Sequence, residues 1–149
     1  MNWNSLRHQW VTGLIVAVCL SLASCGSDRR LAVYPAKGTI SLNGKPLPNA
    51  TVIFHAEFPL EGPDGKPAPV PGGYSNSEGL FTVSTYGAGD GLPEGEYRVT
   101  VSCEDRTAKP VQESYPELLP IVYQDPTKSG LTASISGGQN ELPTFELKR

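Results

Sequence analysis

The stretch from Lys37 to Phe54, KGTISLNGKPLPNATVIF, constrains the fold more than any other. Ile40 and Leu42 alternate with Thr39 and Ser41. After Asn43-Gly44 and the prolines Pro46 and Pro48, the pattern resumes with Val52 and Phe54 on one face. An extended chain sends successive side chains to opposite sides, so each run reads as a strand with one face buried and the other wet. Two such runs around a turn-rich segment open a β domain.

The same period recurs further on. A long loop or edge excursion is expected from about Glu57 to Tyr74, where five prolines and several glycines rule out a regular ladder; a plain solvated connection is the simplest reading. The turn Asn76-Ser77-Glu78-Gly79 launches a strand from Leu80 to Tyr86 with Phe81 and Val83 on one face. The glycines at 87, 89, 91 and 95 then make a flexible turn before the clearest strand, in which Tyr97, Val99, Val101 and Cys103 point one way and Arg98, Thr100 and Ser102 the other. Glu104 to Ser129 is irregular, with apolar anchors at Leu118, Leu119, Ile121, Val122 and Tyr123. Leu131, Ala133 and Ile135, then Phe145 and Leu147, are expected to close the chain as a hairpin.

Six or seven short strands and no amphipathic helix predict a single all-β domain, a two-layer antiparallel β-sandwich of about seven strands. With 16 glycines and 14 prolines but 38% hydrophobic residues, the chain has turns to spare and still an apolar core, so the turn formers read as punctuation and not as disorder. A formal net charge of −3 and the lack of a basic stripe argue against broad binding to nucleic acid or to anionic lipid headgroups.

The amino terminus is an address. Arg7 and His8 precede the apolar run Val11 to Leu22, which is too short for a membrane-spanning helix and has the length of a signal-peptide core. It ends in Leu22-Ala23-Ser24-Cys25, which resembles the lipobox of bacterial lipoproteins. The resemblance implies cleavage before Cys25 and a diacylglycerol on its thiol, with a further acyl chain on the freed amine. Two or three chains anchor stably where one does not. The competing readings are an ordinary secretory signal with an incidental cysteine, or an uncleaved anchor. Residues 1–24 are thus expected to be the signal peptide, residues 25–34 the lipidated cysteine with a short tether, and residues 35–149 the folded domain. Gly26 and Ser27, with no aspartate directly after the cysteine, point by the same resemblance to the outer membrane of the cell envelope. The leaflet stays open.

GTISLNGKPLPNATVIF, NSEGLFTVSTY and GDGLPEGEYRVTV together resemble the carboxypeptidase regulatory-like, or transthyretin-like, β-sandwich. The positions that carry the resemblance are Gly38, Ile40, Gly44, Pro46, Ala50, Val52, Glu78, Gly79, Phe81, Pro93, Gly95 and Tyr97. It implies a prealbumin-like, Greek-key sandwich and no chemistry. The zinc domain of the carboxypeptidases has no room in this chain, and the end Phe145 to Arg149 lacks the signature of the transthyretin-related hydrolases.

Candidate chemistry is sparse. His55, out of phase with Val52 and Phe54, reads as a solvent-facing strand residue, since neither a zinc-ligand pattern nor a nucleophile elbow accompanies it. Cys103 would be stranded once Cys19 leaves with the signal and Cys25 takes lipid, and its parity predicts burial as a small apolar residue. Asp90, Glu94 and Glu96 read as a solvated acidic turn and not a calcium loop. No catalytic, metal or cofactor residue is assigned. The expectation is a non-enzymatic, lipid-anchored envelope protein, structural or contacting protein or glycan. A small hydrolase using His55 and a periplasmic ligand carrier are the rivals. Substituting Cys25→Ser is expected to move the protein from the membrane to the soluble fraction on cell fractionation; continued membrane retention would count against the anchor.

Overall fold

The computed structural model describes residues 30–149. The signal segment 1–24 and the lipid acceptor Cys25 lie outside the described residues. Nine strands occur among those described: β1 (Ala36–Leu42), β2 (Lys45–Pro46), β3 (Thr51–Ala56), β4 (Gly72–Tyr74), β5 (Leu80–Thr82), β6 (Gly95–Ser102), β7 (Leu131–Ile135), β8 (Asn140–Glu141) and β9 (Phe145–Leu147). They form two sheets, one of five strands around β1 and one of four in the order β4-β3-β6-β7. The fold is all-β and two-layered, as expected.

Two features differ from a wholly antiparallel sandwich that closes in a hairpin. β8 and β9 both run parallel to β1, and β7 pairs with β6 in the other sheet. The terminal strands therefore cross between layers. Asn140 fastens the crossing: its Oδ1 accepts from the Ser136 N–H at 3.0 Å, and its own N–H donates to the Pro35 carbonyl at 2.9 Å. Period-two alternation states which face is buried, but not which strand lies alongside.

The β1–β2 hairpin turns on Asn43 and Gly44, at φ 51° and 77°. Positive φ at both central positions is the backbone of the tight hairpin turn that Asn-Gly favours. Ile40, Val52, Phe54, Phe81, Val83, Leu92, Tyr97, Val99, Val101, Phe145 and Leu147 fill the interlayer space. Phe54 meets Tyr97 edge to face at 6.2 Å and Phe81 at 6.4 Å, while Phe81 stacks on Phe145 at 6.0 Å. A seam of four rings thus crosses from one sheet to the other. Gly38 makes room for it, because a Cβ there would lie 2.6 Å from the Phe81 ring.

The proline-rich segment is not a plain connection. It folds as a hydrogen-bonded arm, with Glu61 bridged to Pro67 and the Ala68 N–H donating to Leu60 at 2.8 Å. Its last residues form edge strand β4, which pairs with β3, and the Gly72–Ser84 bridge ties that edge to the chain after β5. The strand expected to reach Tyr86 ends at Thr82, for a reason found in the loop that follows it. In the irregular segment Leu119 is buried and Leu118 and Tyr123 pack partly on the core, but Ile121 is 75% exposed and Val122 also faces out. A short 3-10 turn over Ile121–Gln124 rotates them outward.

The end of the expected tether is attached to the domain. Tyr34 pairs with Leu92 through both backbone bonds, at 2.9 and 3.1 Å, and the Leu31 N–H donates to the Tyr86 hydroxyl at 3.2 Å. Gly91 lies under this contact at φ 97°, and a Cβ there would come within 1.8 Å of the Tyr34 carbonyl oxygen. Gly91→Ala is therefore expected to cost more than about 2 kcal/mol, combining strain and clash. Gly44→Ala, at positive φ but in open space, is expected to cost about 1 kcal/mol. Urea unfolding midpoints compare the two. Equal losses would show that docking of Tyr34 adds nothing to stability.

Candidate functional site

His55 sits on the outer face of β3, opposite Arg98 of β6. It is half-buried, not solvent-facing, because the arm folds back beside it. The ring lines a hollow of about 280 Å³ with Phe58, Pro59, Glu61, Pro69 and Val70. Its Nε2 lies 2.9 Å from the Thr100 hydroxyl, which is itself buried on the neighbouring strand. This cross-strand bond joins His55 to a hydroxyl and not to a carboxylate, and the pair closes the hydrogen-bonding needs of Thr100. Among the described residues no three His, Cys, Asp or Glu side chains stand close enough to hold a metal ion.

Cys103 is buried, as its parity requires, with Sγ 3.6 Å from the Pro48 carbonyl oxygen. Burial raises the thiol's pKa above its ordinary value, and the carboxylates of Glu117 and Asp105 push the same way. A protonated thiol is a poor nucleophile. Tyr97, whose hydroxyl donates to Pro93 at 2.7 Å, is pushed up to about 12 by burial.

Glu94 and Glu96 are exposed, as a solvated acidic turn requires, but Asp90 is engaged by the backbone. The Asp90 carboxylate accepts backbone N–H bonds from Thr85 at 2.8 Å, Tyr86 at 3.0 Å and Gly87 at 2.8 Å. Those bonds bend the chain away from the sheet and end β5 early. They also make the loop a fixed element where glycine content suggested a flexible one. Glu96 is spent separately, accepting from the Ser134 hydroxyl on β7 at 2.5 Å.

One of the most exposed large side chains among the described residues has no role in the sequence analysis. Tyr74, at the end of β4, is 75% exposed. On one side it borders a shallow hollow of about 630 Å³ with Lys37, Thr39, Asn76, Leu80, Thr82 and Glu141. On the other it borders a polar hollow of about 410 Å³ with Asn49, Thr51, Ser102, Glu104, Arg106 and Glu117. The register sets this arrangement: Thr51 lies opposite both Tyr74 and Ser102, so all three face outward in one row. Gly73 lets the edge strand come close enough to the other layer, since a Cβ there would meet the Thr82 carbonyl at 2.3 Å. The available signal was the outward parity of Thr51, which becomes useful only once its cross-strand partner is known.

An aromatic face flanked by amide, hydroxyl, carboxylate and guanidinium groups can stack on an apolar ring face and hydrogen-bond its rim. Comparison of the chain with models of known families and with curated proteins finds no match.

The Asp90 linkage is testable. Burial acts to raise the Asp90 pKa, but backbone bonds from Thr85, Tyr86 and Gly87 outweigh it and hold the group below its ordinary range. A carboxylate depressed in the folded state stabilises above its unfolded value of about 4, and that contribution is lost as pH falls through the folded value. Asp90→Ala is expected to cost about 2 to 3 kcal/mol at pH 7. The difference from wild type should shrink below about pH 4, as read by thermal unfolding across pH. A difference that stayed constant down to pH 2 would refute the linkage.

Proposed function

We propose that this protein is a lipid-anchored component of the bacterial cell envelope, held through Cys25, whose domain is a carboxypeptidase regulatory-like, transthyretin-like sandwich of Greek-key type. Its role is non-enzymatic. It presents a binding surface, centred on Tyr74, to an envelope glycan, and the outer membrane is the anchoring membrane. The observation that carries this reading is the exposed ring of Tyr74 standing between two polar-rimmed hollows on an edge strand.

The hydrolase rival, centred on His55, is opposed by the Nε2 bond to Thr100, which ties the ring to a hydroxyl without an acid partner. The carrier rival needs interior space, which the aromatic seam fills. In binding assays with purified envelope polysaccharide fragments, Tyr74→Ala should weaken binding about tenfold, roughly 1.4 kcal/mol, with no change in melting temperature. His55→Ala should leave binding intact. No measurable binding by wild type, or equal binding by Tyr74→Ala, would overturn the glycan reading, and a protein crosslinked through position 74 would replace it.

A further inference from the structure

The proline-rich arm and the chain's point of entry share one end of the sandwich. Tyr34 pairs with Leu92, three residues before β6 begins. β3 finishes at Ala56 opposite Tyr97, at that same end of β6, and the arm starts there. A hollow of about 240 Å³ is lined jointly by Arg30 and Tyr86 and by Gly62, Asp64, Lys66 and Pro67 of the arm. The Arg30 guanidinium lies 5.3 Å from the centre of the Tyr86 ring. Beyond Pro67 and Pro69, which border this hollow and the next, the arm exposes two large apolar side chains, Phe58 at 76% and Val70 at 67%. They line one hollow with Pro59 and Leu60.

Cys25 precedes Arg30 by five residues. Five residues reach at most about 17 Å, so a lipid on Cys25 holds this end of the domain within that distance of the membrane surface. We infer that the arm is a membrane-seating element: Phe58 and Val70, with Pro59 and Pro69 beside them, rest in the interfacial layer of the bilayer in which the anchor sits. The inference rests on the lipid-anchor reading of Cys25. Two side chains are too little apolar surface to recruit a free protein, but a tethered domain meets the bilayer at a very high effective concentration, so a weak patch suffices to orient it. Seating the arm sets the domain on end. Tyr74 then stands away from the lipid, because Thr51, its partner, begins β3 and lies about 17 Å along the strand from Ala56.

The test uses the full lipidated chain reconstituted in phosphatidylethanolamine–phosphatidylglycerol vesicles, with an environment-sensitive fluorophore on Phe58→Cys, Val70→Cys or Ile121→Cys. Ile121 is as exposed as Phe58 but lies in the turn next to Tyr123, whose hydroxyl accepts from the Lys148 N–H near the carboxy terminus. β9 runs parallel to β1, so that terminus lies at the end of the sandwich opposite the chain's entry. The native Cys103 is buried and serves as the unlabelled background. Probes at 58 and 70 should shift to the blue and lose most of their emission to quenchers placed in the upper acyl chains, while the probe at 121 stays unquenched. If 58 and 70 remain as wet as 121 in protein that pellets with the vesicles, the arm does not seat and the anchor survives. If the protein fails to pellet, both readings fall. A Phe58→Asp, Val70→Asp chain that still pellets and whose Tyr74→Cys probe becomes quenched would show that orientation depends on the arm; an unquenched probe at 74 would show that it does not.

Discussion

The fold depends on the ring of Phe54. It has no exposed surface, and it touches Tyr97 of its own sheet and Phe81 of the other. Phe81 passes the contact on to Phe145 of β9. Aromatic pairs contribute beyond their buried area, and here they also join strands that are distant in the chain. β9 holds its place beside β1 because Phe145 completes the stack, and β1 accommodates the stack because it has no side chain at Gly38. Removal of one ring from such a seam leaves a cavity that the flanking strands cannot fill without losing register.

Around that seam the polar groups are economical. Ser75 donates to Leu47 and accepts from Ala50, Ser129 donates to Val99, and His55 meets Thr100, so the buried serines and threonine among the described residues are all bonded. Asp90 does for the loop after β5 what the hydroxyls do for the sheets, gathering backbone N–H groups that would otherwise lack partners. Residues with chemical potential are therefore used structurally: the imidazole braces a strand pair, the thiol fills a core position and the carboxylate caps a turn. The surface left around these groups is uneven.

The two ends of the sandwich differ in kind. Where the chain enters lie the apolar arm and the Arg30–Tyr86 contact. Toward the other end lie Tyr74 and the polar hollow with Glu104, Arg106 and Glu117. Under the proposed anchoring the domain would be held by its apolar end and expose its polar end, and the proposed function draws on this asymmetry.

Local pattern alone determined which residues turn inward. Ile40, Val52, Phe54, Phe81, Val83, Tyr97, Val99, Val101, Cys103, Ala133, Ile135, Phe145 and Leu147 are all buried, because alternation is a property of each strand by itself. The Asn43-Gly44 turn was equally legible, since the positive φ it needs at both central positions is what Asn-Gly readily adopts. Pairing was not. That β9 lies parallel to β1, that the arm folds over His55 and that Tyr74 stands beside Thr51 follow from contacts between segments far apart in the chain, whose energies no local period encodes. Tertiary structure decided those neighbours, and with them which polar side chains are consumed by the fold and which stay available to a partner.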